Sequence, residues 1–148
     1  MSGYLQEEDA IQLLKEALFE SKRDFSFSKR VLGIMEQHVN SSEVQWRGLT
    51  LLYWLTNNDP AMQRELVLRT SAAEVVLTSL FTHPKNKFVA QKALLCICAF
   101  AYANGSTNGQ YLVNLGAMQA TIDALETHSD QPLVQEYVLF FSFFFIVS

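Results

Sequence analysis

Five side chains in this sequence carry an imidazole or a thiol, the groups best suited to ligate a metal or attack an electrophile: His38, His83, His128, Cys96 and Cys98. A zinc site needs its ligands to converge to about 2 Å from one ion. The three histidines instead recur at intervals of 45 residues. That is the spacing of a structural period, and equivalent positions in stacked helical units lie about 8–10 Å apart, too far for one metal. The histidines therefore read as polar residues that end a helix and hydrogen-bond its last carbonyls. Cys96 and Cys98 are the only cysteines. On a helix their side chains point about 200° apart, so they cannot pair with each other, which fits a reducing compartment. Both sit in an apolar stretch and read as small buried hydrophobes. No G-x-S-x-G, P-loop, H-E-x-x-H or G-x-G-x-x-G pattern occurs. Gly105 to Gly109 contains glycine but has no Lys-Ser/Thr after it and no strand before it, so it reads as a loop. No catalytic, metal or cofactor site is expected, and neither is an enzyme.

The elements that would position these residues repeat. MEQHVNSSEVQWRGLTLLYWLT from Met35, LFTHPKNKFVAQKALLCICAFA from Leu80 and LETHSDQPLVQEYVLFFSFFFI from Leu125 align without gaps. Val44, Val89 and Val134 coincide, as do Leu49, Leu94 and Leu139, and the bulky apolar Leu55, Phe100 and Phe145. A period of about 40–47 residues belongs to helical arrays with one short and two longer helices per unit. In the third unit, Asn104 to Gly109 is a break and Gln110–Asn114 a short first helix. Gly116 stops that helix, Ala117–Thr127 is the second, Asp130 caps the third and Pro132 sits in its first turn. In the first unit Ser42-Glu43-Val44-Gln45 has the form of a capping box, with a helix to about Thr56 and a break at Asn57 to Pro60. In the second, Asn86 caps a helix running through Ala103. Glu7 to Lys22 carries Ile11, Leu14 and Leu18 on one stripe and Glu7, Glu8 and Asp9 at its start, the signature of a capping helix. One all-α domain is expected over 1–148: a capping helix at 4–24, then units at 25–57, 58–103 and 104–148.

The third unit, LGAMQATIDALETHSDQPLVQEYVLFF, resembles the armadillo consensus, in which a Gly-Gly/Ala-Ile opens the second helix. The variant whose second helix ends in "ALxxH" and leads into "VQ" is similar to repeats in many protist armadillo proteins and in the armadillo region of leucine-rich-repeat kinases. The resemblance covers about residues 27–148. The first two units match mainly around His38/Val44 and His83/Val89, and Ser26 and Ser71 stand where the third has Gly116. It implies a right-handed α-solenoid of about three three-helix repeats that binds proteins along third helices lining an inner groove. Importin-type arrays line that groove with a Trp and an Asn four residues later. Here the Trp place holds Thr50, Leu95 and Phe140, and the Asn place Trp54, Ala99 and Phe144. Importin-like capture of a nuclear localisation signal is therefore not expected, and none of those site residues is carried over.

Positions three or four apart on each third helix share one face. That gives Glu43, Arg47, Thr50 and Trp54, then Phe88, Lys92, Leu95 and Ala99, then Leu133, Tyr137, Phe140 and Phe144. Arg47, Thr50, Trp54, Lys92, Leu95, Tyr137, Phe140 and Phe144 are the expected partner contacts, since Trp, Tyr and Arg most often anchor interfaces. Arg47 and Lys92 would suit a peptide or helix carrying apolar and acidic residues. Residues 138–148 are almost wholly apolar, short of the ~18–20 residues of a membrane-spanning helix. A helix apolar all round is buried, so either the natural protein continues, the chain self-associates there, or a partner covers it. Self-assembly through this end, and service as a regulatory segment of a larger protein such as a kinase, are the alternative readings.

The 148 residues are 49% hydrophobic and 18% charged, enough for a continuous core. A net charge of −4 with 11 Lys+Arg argues against nucleic acid or an anionic membrane as partner. The polar, acidic MSGYLQEEDA is unlike a signal peptide and lacks the myristoylation pattern, so the expected location is cytoplasmic by default.

Overall fold

A computed structural model describes residues 5–102, 107–137 and 139. Among these the chain is all helix: α1 (Glu7–Ala17), α2 (Phe25–Gln37), α3 (Ser42–Thr56), α4 (Pro60–Arg69), α5 (Ala72–Thr82), α6 (Lys87–Tyr102), α7 (Thr107–Asn114), α8 (Ala117–Thr127) and a segment at 132–137, α9. No described helix is long and apolar enough to cross a membrane.

The 45-residue period sets where helices stop. α2, α5 and α8 end at 37, 82 and 127, each followed by its histidine as C-cap. α3, α6 and α9 begin at 42, 87 and 132. Three residues after each histidine a backbone N–H returns to its carbonyl: Ser41 to His38, Asn86 to His83 and Gln131 to His128. α6 lies at the centre of the packing and touches α3, α4, α5, α7 and α8, while α1 and α2 pack on α3. Val44, Val89 and Val134 are fully buried, as are Leu49, Leu94 and Phe100. Leu139, which aligns with those leucines, is exposed.

Several local expectations are corrected. The rings of His83 and His128 do not bond their own helix. His83 Nε2 bonds the carbonyl of Val39 at 2.7 Å and His128 Nε2 that of Pro84 at 2.8 Å, each 44 residues back. They tie one unit to the unit before it. The capping box at Ser42 does not form. Ser41 is the cap and accepts from Val44 N at 3.2 Å. Gln45 turns back, donating from Nε2 to the carbonyls of Met35 (3.0 Å) and His38 (2.9 Å) and accepting from Ser79 Oγ at 2.6 Å. Gln135, in the same register as Gln45, donates to the carbonyls of Leu125 and His128. Side chains of the following helix thus satisfy the carbonyls left open at the second helix's end. Asp130 does not cap α9, because the first helical bond there goes from Gln135 N to Gln131 O. Asn86 does cap α6, accepting from Val89 N at 3.0 Å.

α1 stops at Ala17 rather than Lys22. The next three amides, Leu18 to Glu20, bond three residues back, and Arg23 donates to the carbonyls of Leu18 (2.6 Å) and Glu20 (3.1 Å). α7 starts at Thr107, earlier than Gln110. Buried Asn108 anchors that extra turn by donating to Phe100 O at 3.0 Å. Gly116 adopts φ 99°, the left-handed backbone that joins α7 to α8. Ser71 takes its place before α5 with φ −84°, and Ser26 lies inside α2, so neither earlier unit needs the glycine.

The inter-unit histidine bonds give a first prediction. His128 is almost fully buried, so His128→Ala should cost about 1–3 kcal/mol by removing both its bond to the Pro84 carbonyl and the packing of its ring. Urea unfolding would measure it.

Candidate binding cleft on the third helices

The periodicity of α3 and α6 fixes which side chains are accessible. Val44, Gln45, Gly48, Leu49, Leu51, Leu52, Leu55 and Thr56 of α3 are buried, and so are Val89, Ala90, Ala93, Leu94, Cys96, Ile97 and Phe100 of α6. Glu43, Arg47, Thr50, Lys92, Leu95, Ala99 and Tyr137 are half-buried, and Trp54, Phe88 and Leu133 exposed. All of these lie where the spacing put them. Phe140 and Phe144 lie outside the described residues.

This accessible face has two parts. The first is a cluster of rings and cations at the start of α3 and α6. Trp46 and Phe88 have ring centroids 5.7 Å apart. The Arg47 guanidinium lies 4.3 Å from the Trp46 ring centre and pairs with Glu43 at 2.8 Å, and Lys87 lies over Phe88. Such contacts are worth about 0.5–1 kcal/mol at exposed sites and hold the side chains in place. Thr50 donates to its own helix at Trp46 O, so its hydroxyl proton is already used. Trp54, half-exposed at 47%, is overlain by Arg23 at 5.3 Å.

The second part is a cavity of about 530 Å³. Tyr53, Asn57 and Asn58 come from the end of α3 and the turn after it, Pro60 and Gln63 from α4, Leu95, Cys98 and Ala99 from α6, and Glu136 and Tyr137 from α9. It spans late α3, middle to late α6 and the end of the described α9 segment. The structure thus brings Leu95, Ala99 and Tyr137 together and leaves Arg47, Thr50, Trp54 and Lys92 outside the lining. Tyr53, Asn57, Gln63, Cys98 and Glu136 escaped the sequence reading. The signal that could have marked Gln63 is its register with Asn108. Both are buried amides on first helices, and Gln63 Nε2 donates to Thr56 O at 2.7 Å.

Burial pushes the Cys98 thiol up to about 12 and the Cys96 thiol up as well, so at neutral pH both remain protonated and unreactive. Their sulfurs lie near backbone carbonyls, Cys96 Sγ 3.2 Å from Leu49 O and Cys98 Sγ 3.6 Å from Tyr137 O. Burial also raises Tyr137, with Glu136 beside it acting in the same direction. A thiol whose folded value lies above its unfolded one, 9.0 here, keeps its proton longer in the folded state. Its contribution to stability is complete below the unfolded value and is lost as pH rises from about 9 towards 12. Unfolding free energy should therefore fall across that window, and Cys98→Ala should flatten the fall. Thiol labelling at pH 8 should be slow until denaturant is added. Among the described residues no group of three or more His, Cys, Asp or Glu could hold a metal ion. Compared with protein-family models, curated proteins and solved structures, the chain has no match.

Proposed function

We propose that this chain is a protein-interaction scaffold: a right-handed solenoid of armadillo type whose third helices form a concave groove for a partner segment. The observation that carries this reading is the cavity across α3, α6 and α9, with a separate cluster of pre-positioned rings and cations on α3 and α6. The recurrence of helix ends, and of the same backward bond at His83 and His128, supports the solenoid. Rigid aromatic anchors flanked by polar groups are what a binding surface needs, because little side-chain entropy is lost on contact. On this reading the chain is not an enzyme, and its partners are proteins rather than nucleic acid or membrane.

The test is a display selection of random peptides on the folded protein. Enriched peptides should bind the parent, lose at least tenfold affinity to Tyr137→Ala, and be indifferent to Gln119→Ala on the exposed side of α8. Peptides unaffected by Tyr137→Ala would place binding elsewhere, and a selection yielding no specific binder would overturn the scaffold reading.

A further inference from the structure

The cavity has a chemistry of its own. Among the described residues its lining includes one carboxylate, Glu136, and no cation. Glu136 has no ion pair among the described residues, unlike Glu43, which Arg47 holds. The tyrosine rings of Tyr53 and Tyr137 offer π faces and hydroxyl groups, and the amides of Asn57 and Asn58 add polar groups at the α3 end. Gln63 forms part of the wall. Its buried Oε1 accepts no hydrogen bond among the described residues. The thiol of Cys98 stays neutral, so it brings no charge. Leu95, Ala99 and Pro60 supply apolar surface for a methylene stem. The cations of the same face, Arg47 and Lys92, are not in this lining.

We propose that this cavity holds a basic side chain, an arginine or lysine of the captured segment, with its head towards Glu136 and its stem against Leu95 and Ala99. This subsite rests on the scaffold reading above and assigns the segment a polarity. Its basic residue lies in the cavity, and its acidic or apolar residues lie towards Arg47 and Phe88. The charge complementarity is what selects a cation over an apolar side chain, which the walls alone would accept equally. An aromatic face beside a carboxylate binds a guanidinium by both cation–π and charge attraction.

The test uses three acetylated, amidated pentapeptides, Ala-Ala-X-Ala-Ala with X as arginine, norleucine or glutamate. Each is titrated into the ¹⁵N-labelled whole chain while the amides of Tyr53, Leu95, Ala99 and Tyr137 are followed by NMR. The arginine peptide should shift these amides and bind at least about tenfold more tightly than the norleucine peptide, a difference of about 1.4 kcal/mol. The glutamate peptide should leave them in place. Glu136→Gln, an exposed position that should fold normally, should weaken the arginine peptide by about threefold to fivefold, the scale of an exposed ion pair. Equal or tighter binding of norleucine would overturn the basic subsite while leaving groove capture standing. If none of the three moved these amides at millimolar concentration, the subsite would be overturned too, and the display selection would then judge the groove independently.

Discussion

Phe100→Ala is expected to lower the free energy of unfolding by about 3–5 kcal/mol. Phe100 is fully buried and belongs to the apolar position shared with Leu55. It lies on α6, which touches five other described helices. Removing the ring loses its transfer free energy and leaves a cavity between helices that cannot close independently. A domain of this size has about 5–15 kcal/mol in hand, so one such change takes a large share. Phe88 on the same helix provides the control. It is 47% exposed, so Phe88→Ala should stay within about 1 kcal/mol of the parent. Urea melts of the two variants would show whether burial, rather than residue type, governs the cost.

Leu95→Lys should have the larger functional effect. Leu95 is half-buried and lines the cavity from the middle helix of the three. An ammonium there pairs with Glu136, repels a basic side chain and removes the apolar wall, so a peptide seated in the cavity should lose about 100-fold in affinity, or about 2.7 kcal/mol. Because the side chain already reaches solvent, the melting profile should move little. Fluorescence anisotropy with a display-selected peptide reads the affinity, and a urea melt of the same sample reads the fold. Loss of binding together with loss of fold would assign the effect to stability instead.

The sequence and the structure agree where a pattern is local. Helix ends at 37, 82 and 127 follow from an alignment anchored on His38, His83 and His128, because each of those helices ends on its histidine. The accessible faces of α3 and α6 follow from helical spacing, because side chains three or four apart must share a side. They diverge where an outcome depends on how helices stack. His83 and His128 reach carbonyls 44 residues away rather than those of their own helix, and no local pattern encodes that distance. Gln45 looks like part of a capping box, yet Ser41 takes the cap and leaves Gln45 one position too far into α3. It bonds α2 and α5 instead. The cavity was hidden for the same reason. Tyr53 lines one cavity with Leu95 and Tyr137 although the three stand at different register positions of α3, α6 and α9. Equal register numbers, which made Arg47, Lys92 and Tyr137 look like one row, do not place these residues at one site.

The most direct test of the account is to map a display-selected peptide on the ¹⁵N-labelled protein by amide shift perturbation. Capture in the groove predicts that the perturbed residues fall on α3, α6 and α9, centred on Tyr53, Leu95, Ala99 and Tyr137. Perturbations centred on α4, α5, α7 or α8, with these four unmoved, would contradict it.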